Sequence, residues 1–138
     1  MITSKDNPQF KALKKLIHQP KRSDALMVVE GVHACQLLLK HQGMHHLRIE
    51  KVWVGRSALN DREVQSLLLQ AQHQNIPVME LDGALFRELS SLEQGISVLF
   101  EVQRPAIEPM NFENITGNVV LLDGIQDPGN MGSILRTC

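Results

Sequence analysis

The segment from residue 49 to residue 81, Ile49-Glu50-Lys51-Val52-Trp53-Val54, then Asp61 to Gln74, then Ile76-Pro77-Val78-Met79-Glu80-Leu81, decides the fold class. Its first and last pieces are short apolar runs of strand type. The middle piece places Val64, Leu67, Leu68 and Ala71 at helical spacing. A strand, an amphipathic helix and a second strand form a βαβ unit. Working outward, the alternation continues in both directions.

Upstream, Asn7-Pro8 opens a helix with a capping side chain and a proline at the first helical position. Phe10, Leu13, Leu16 and Ile17 share its apolar face, and Lys11, Lys14 and Lys15 take the opposite one. Gln19-Pro20-Lys21-Arg22-Ser23 ends that helix in a basic loop. Leu26 to Glu30 reads as a strand punctuated by Gly31, and Val32 to Lys40 as a helix carrying Cys35, Leu38 and Leu39. Downstream, Asp82 caps a short helix through Leu89, and Ile96 to Val102 is the next strand. The expectation is an α/β domain with α/β/α layers and a largely parallel sheet. Trp53 and Phe100, on strands, are expected in its core.

The chain has 138 residues, 43% of them hydrophobic and 21% charged, which is globular composition and excludes a disordered polar tail. No apolar run nears membrane-spanning length, and the first residues lack the apolar stretch of a secretory signal. Two cysteines, Cys35 and Cys138, fit reduced thiols in a cytoplasmic protein. The net charge of −1 hides an asymmetry. Residues 1–22 hold six basic side chains against Asp6 alone, and the other 116 residues hold eight basic and fourteen acidic ones. A basic arm on an acidic body is a footprint of polyanion binding, and Lys11, Lys14, Lys15, Lys21 and Arg22 are its candidate phosphate contacts. Solvated lysine faces have the same look. His41, His45 and His46 match no zinc spacing, so no metal is expected. Gly129 and Gly132 are too sparse for a phosphate loop.

After Gln103 the pattern breaks. Residues 104–118 are polar and proline-interrupted, as in a linker between a domain at 1–103 and a new start at 119–138. Val119 to Leu122 is expected to be a buried strand. Asp127-Pro128-Gly129-Asn130 then leads into a helix, with proline fixing φ, glycine permitting positive φ and Asn130 able to cap. Backbone N–H groups at that helix start would face anions at a strand edge, with Arg136 reaching back toward them. A plain turn with a capped helix and a solvated arginine explains the same residues. Some twenty residues cannot bury a core of their own, so 119–138 is expected to be the truncated start of a domain.

The twenty residues from Val119 to Cys138, with Asn130 and Arg136 six apart, closely resemble the first sequence motif of the SpoU/TrmH family of RNA ribose 2′-O-methyltransferases, of the knotted SPOUT class. Ile2-Thr3-Ser4, Asn7-Pro8, Lys21-Arg22 and Val29-Glu30-Gly31 resemble the substrate-binding domain that often precedes the catalytic one. The resemblance implies a first domain similar to small ribosomal proteins and kink-turn RNA binders, followed by an incomplete first βα unit of the knotted domain. It implies catalytic roles for Arg136, at the ribose 2′-hydroxyl, and for Asn130. Asp127, Pro128 and Gly129 belong to the same motif. Glu30 and Gly31 match the substrate-domain signature, where the residues themselves suggest a strand-end hydrogen-bonding role for Glu30. His33 stands where the family usually carries arginine. The second and third motifs, which build the knot and most of the S-adenosylmethionine pocket, are missing from this chain. The resemblance therefore implies S-adenosylmethionine as cofactor and a homodimer for the full-length family, and a fragment that binds ribosomal or transfer RNA without catalysis. Two alternatives stand beside it: a free-standing RNA-binding module, and a small α/β domain holding a nucleotide at the strand edge.

Overall fold

The computed structural model describes residues 1–21, 23–41, 47–89, 97–105 and 116–138. Two compact units emerge, Met1–Ala106 and Ile107–Cys138. Among the described residues, no helix is long and apolar enough to cross a membrane.

In the first unit the elements are α1 (Pro8–His18), β1 (Leu26–Glu30), α2 (Val32–His41), β2 (Arg48–Gly55), α3 (Arg62–His73), β3 (Val78–Leu81), α4 (Gly83–Leu89) and β4 (Val98–Gln103), with a single 3-10 turn at Arg56–Ala58. Helix α1 begins as its sequence dictates: Asn7 Oδ1 accepts from the N–H groups of Gln9 (2.9 Å) and Phe10 (3.3 Å), and Pro8 fills the first position. Asp61 caps α3 in the same way, at 2.8 and 3.1 Å. That helix ends at Asn75, whose φ of 57° turns the chain left-handed so that Ile76 N–H donates back to Ala71 O.

The sheet order is β1-β4-β2-β3, which corrects the expectation of a largely parallel sheet. Among the four described strands, β2 and β3 alone pair in parallel; β4 pairs antiparallel with both β1 and β2. The βα alternation does send β1, β2 and β3 in one direction. β4 then enters between β1 and β2 running the other way, and no local periodicity encodes that insertion. The N-terminus adds a bridge at the far edge, where Ile2 N–H donates to Glu80 O and Asp82 N–H to Ile2 O.

Strand alternation divides the core between the two sheet faces. Val52, Val54, Val98, Phe100 and Val102 pack with Cys35 and Leu39 of α2 and Val64, Leu67 and Ala71 of α3. Trp53, Leu81 and Leu99 pack on the other face with Phe10 and Leu13 of α1 and Leu85, Phe86 and Leu89 of α4. Helices thus cover both faces, and Trp53 and Phe100 are fully buried as expected. Each such side chain contributes about 1.5–3 kcal/mol by leaving water. Glu101 is the buried charged residue among those described, with Lys51 Nζ 3.7 Å away and the same ammonium 5.2 Å from the Trp53 ring centre.

In the second unit the described residues 116–138 form one element, helix α5 (Pro128–Thr137), and none of them is buried. The strand expected at Val119 to Leu122 is not formed: Val119, Val120 and Leu121 are 57%, 56% and 89% exposed. An apolar run becomes a strand only when a neighbouring strand satisfies its backbone, and the described part of this unit contains none.

Candidate functional site

Burial of Phe10 and Leu13 turns the lysine face of α1 outward, where Lys11, Lys14, Lys15, His18 and Gln19 line an open groove of about 420 Å³. The basic arm is therefore a packed helix, and several of its charges are already paired. Lys11 meets Asp6 at 2.7 Å. Lys14 and Lys5 both bind the carboxylate of Glu88, from the last turn of α4, Lys5 at 2.7 Å. These two ammonium groups, Lys14 before Lys5, hold the Glu88 carboxyl down to about 2. Lys15 is exposed and has no acidic partner among the described residues. Lys21 lies beyond the helix, with its backbone N–H donated to Asp24 at 2.7 Å. Arg22, like His45 and His46, lies outside the described residues. Glu88 was not among the residues singled out from sequence; a lone acid at the end of a short helix gives no local sign that two distant lysines converge on it.

Glu30 ends β1 opposite Leu99, half-buried, as a strand-end residue. Gly31 takes φ +96°, donates its N–H to Val98 O and begins α2 through its carbonyl, which accepts from Cys35 N–H. A side chain there would be strained by conformation alone. His33 is exposed on the first turn of α2. Among the described residues, no group of histidines, cysteines and carboxylates is placed to hold a metal.

At the start of α5 the cap is Asp127, which corrects the assignment of that role to Asn130. Asp127 Oδ1 accepts from the N–H groups of Gly129 (2.6 Å) and Asn130 (3.1 Å), and Pro128 takes the first helical position. Gly129 is helical rather than left-handed; its value is space, since a Cβ there would lie 2.9 Å from the capping oxygen. The left-handed residue is Gly124, with φ +66°. Gln126, Asp127, Asn130 and Ser133 line an open depression at this helix end. Arg136 does not line it. Six residues on a helix place the two side chains about 120° apart around the axis, and Arg136 Nε donates to Gly132 O at 3.1 Å with the side chain exposed.

A family model described as RNA 2′-O ribose methyltransferase substrate binding matches residues 28–105. A 23S rRNA (guanosine-2′-O-)-methyltransferase RlmB of Pseudomonas aeruginosa is 35% identical over 118 residues, covering 79% of this chain and 45% of its own length. The RlmB protein of Pseudomonas putida is 29% identical over the same span. The chain thus spans about half the length of the curated relatives it matches. Among solved structures, an RNA 2′-O ribose methyltransferase aligns with TM-score 0.65 at 22% identity, over 99% of this chain and 50% of the other. The SpoU methyltransferase AviRb of Streptomyces viridochromogenes, solved with AdoMet, aligns with TM-score 0.60 at 19% identity, over 95% of this chain and 47% of the other. The matched residues 28–105 cover more than half of the chain and all of β2, β3 and β4, and on that match the chain belongs to the SpoU/TrmH family of RNA 2′-O-ribose methyltransferases.

Proposed function

We propose that this chain is the RNA-recognition domain of a cytoplasmic RNA 2′-O-ribose methyltransferase, joined to the opening of its catalytic domain, and that it binds ribosomal or transfer RNA without turning over. The observation that carries this reading is the coincidence of the substrate-binding family match with a unit that has its own two-sided core. That unit is similar in kind to small ribosomal proteins and kink-turn binders. Lys11, Lys14, Lys15, Lys21 and Arg22 supply phosphate contacts, which give affinity that falls with salt.

Residues 119–138 are assigned to the start of the catalytic domain, and their described structure is helix α5 alone. Asn130 and Arg136 are its catalytic contribution. A guanidinium keeps its charge, orients a phosphate and stabilises the alkoxide developing at a ribose 2′-hydroxyl. S-adenosylmethionine, the methyl donor of the family, does not fit the residues described here. A small-molecule site buries most of its ligand, and residues 116–138 contain no buried side chain and only an open depression. The donor pocket and the homodimer are accordingly assigned to the full-length members of the family. The same contrast favours a second reading, a free-standing RNA-binding module. A nucleotide held at the edge of the strand at 119–122 loses its support, because that strand is not formed.

Two titrations test the proposal. Isothermal calorimetry with S-adenosylmethionine should give no binding heat, and tight binding by the 138-residue chain overturns the reading that its residues hold no donor pocket. A labelled structured RNA hairpin should bind with an affinity that drops steeply between low and physiological salt; binding indifferent to salt, or none, overturns the role of the basic helix.

A further inference from the structure

The pairing at Glu88 joins parts of the chain that lie far apart in sequence. Lys5 precedes α1, Lys14 lies on it, and both ammonium groups meet one carboxylate at the end of α4, Lys14 on Oε1 and Lys5 on Oε2. His18 Nε2 lies 3.3 Å from the Glu88 backbone carbonyl, and the groove beside these groups continues past Lys11 and Lys15. Lys5 and Lys14 are 70% and 41% exposed, so another anion can reach them and compete with Glu88 for the same ammonium groups. A carboxylate and a phosphodiester each present a pair of anionic oxygens, and two converging ammonium groups suit either one.

We propose that Lys5 and Lys14 form a clamp for an RNA backbone phosphate, and that the Glu88 carboxylate holds the phosphate's place in the free protein. This rests on the RNA-binding reading above and adds to it a residue, Lys5, and an internal competitor, Glu88. RNA arriving along the α1 groove must displace Glu88, so the free protein understates the basicity of its own surface. The exchange reduces affinity for short or poorly fitting RNA, whose few contacts do not offset the displaced pair. RNA that also engages Lys11 and Lys15 offsets it.

The test measures binding of a labelled RNA hairpin to the full 138-residue chain and to its E88Q, K5A and E88Q/K5A variants over a series of salt concentrations. Glu88→Gln keeps the side-chain shape and should tighten binding roughly five- to tenfold near 0.1 M salt. It should also steepen the slope of log K against log salt by about 0.7–0.9, one recovered phosphate contact. Lys5→Ala should change little in the parent chain and cancel most of the gain in the E88Q background. If E88Q weakens binding, Glu88 is a brace that orients the lysines and the clamp is overturned. Unchanged binding in E88Q also overturns it. Loss of affinity in Lys15→Ala alongside an indifferent E88Q leaves the RNA-binding reading standing without the clamp. No binding by any variant at low salt removes both. Urea midpoints of the variants keep misfolding from passing as a binding effect.

Discussion

Met1–Ala106 buries alternate side chains of its central strands against two pairs of helices, whereas the described residues of Ile107–Cys138 bury none and support one helix. The most specific resemblance to a family motif read from the sequence falls in the second unit. The first unit is specified by packing: many interchangeable apolar positions whose period fixes where they go. The second is marked in sequence by single residues, Asp127, Asn130 and Arg136, and nothing described around them is packed. Resemblance of residues and packing of side chains are separate properties, and among the described residues they fall in different places.

The contrast can be broken experimentally. Phe100→Ala removes a fully buried ring from the central strand and should cost about 3–5 kcal/mol in urea denaturation. A cost below about 1 kcal/mol would show that the core is not assembled around β4. The two thiols should report the same division. Cys138 is exposed, and Cys35 is buried with its Sγ 3.7 Å from Val29 O. Burial pushes the Cys35 thiol from 9.0 up to about 12, against a smaller opposing effect of a backbone hydrogen bond from Phe100. A disulfide reagent should therefore label Cys138 promptly and Cys35 at least about a hundredfold more slowly, through opening of the unit. Because the folded thiol resists ionisation and the unfolded one does not, this residue's contribution to stability is intact below about pH 9 and is lost as pH rises toward 12. Equal labelling rates would place Cys35 outside a closed core. The smallest effect should be Leu121→Ser, within about 0.5 kcal/mol, since that side chain is 89% exposed. A larger loss would show that the second unit has packing of its own.

Much of the first unit is legible in its sequence. The caps at Asn7 and Asp82 act as their residue types require, and the alternation through Val52-Trp53-Val54 and Val98-Leu99-Phe100 assigns each side chain to its face. The pairing order is not legible. β4 between β1 and β2, and Ile2 against Leu81, are contacts between residues far apart, and strand periodicity is the same whichever neighbour a strand finds. Val119 to Leu121 shows the converse, an apolar run that reads as a strand with no strand beside it among the described residues. At α5 a usable signal was present: proline favours the first helical position, so Pro128 points to Asp127 as the cap ahead of Asn130. The basic helix was legible as charge, but its neutralisation by Glu88 depends on α4 packing beside α1.

The position of β4 also sets a timetable for the chain. It is the last strand of the sheet to be synthesised, yet it lies inside the sheet and is the neighbour on which β1 depends. On a ribosome adding roughly 5–20 residues per second, β1 waits several seconds with no strand to pair with. β2 and β3 can meet earlier but leave one edge open. The sheet closes in a single late event, when residues 98–103 slot between strands already made. Termination upstream of that point removes the middle of the sheet, not its rim, and leaves open strand edges that invite aggregation.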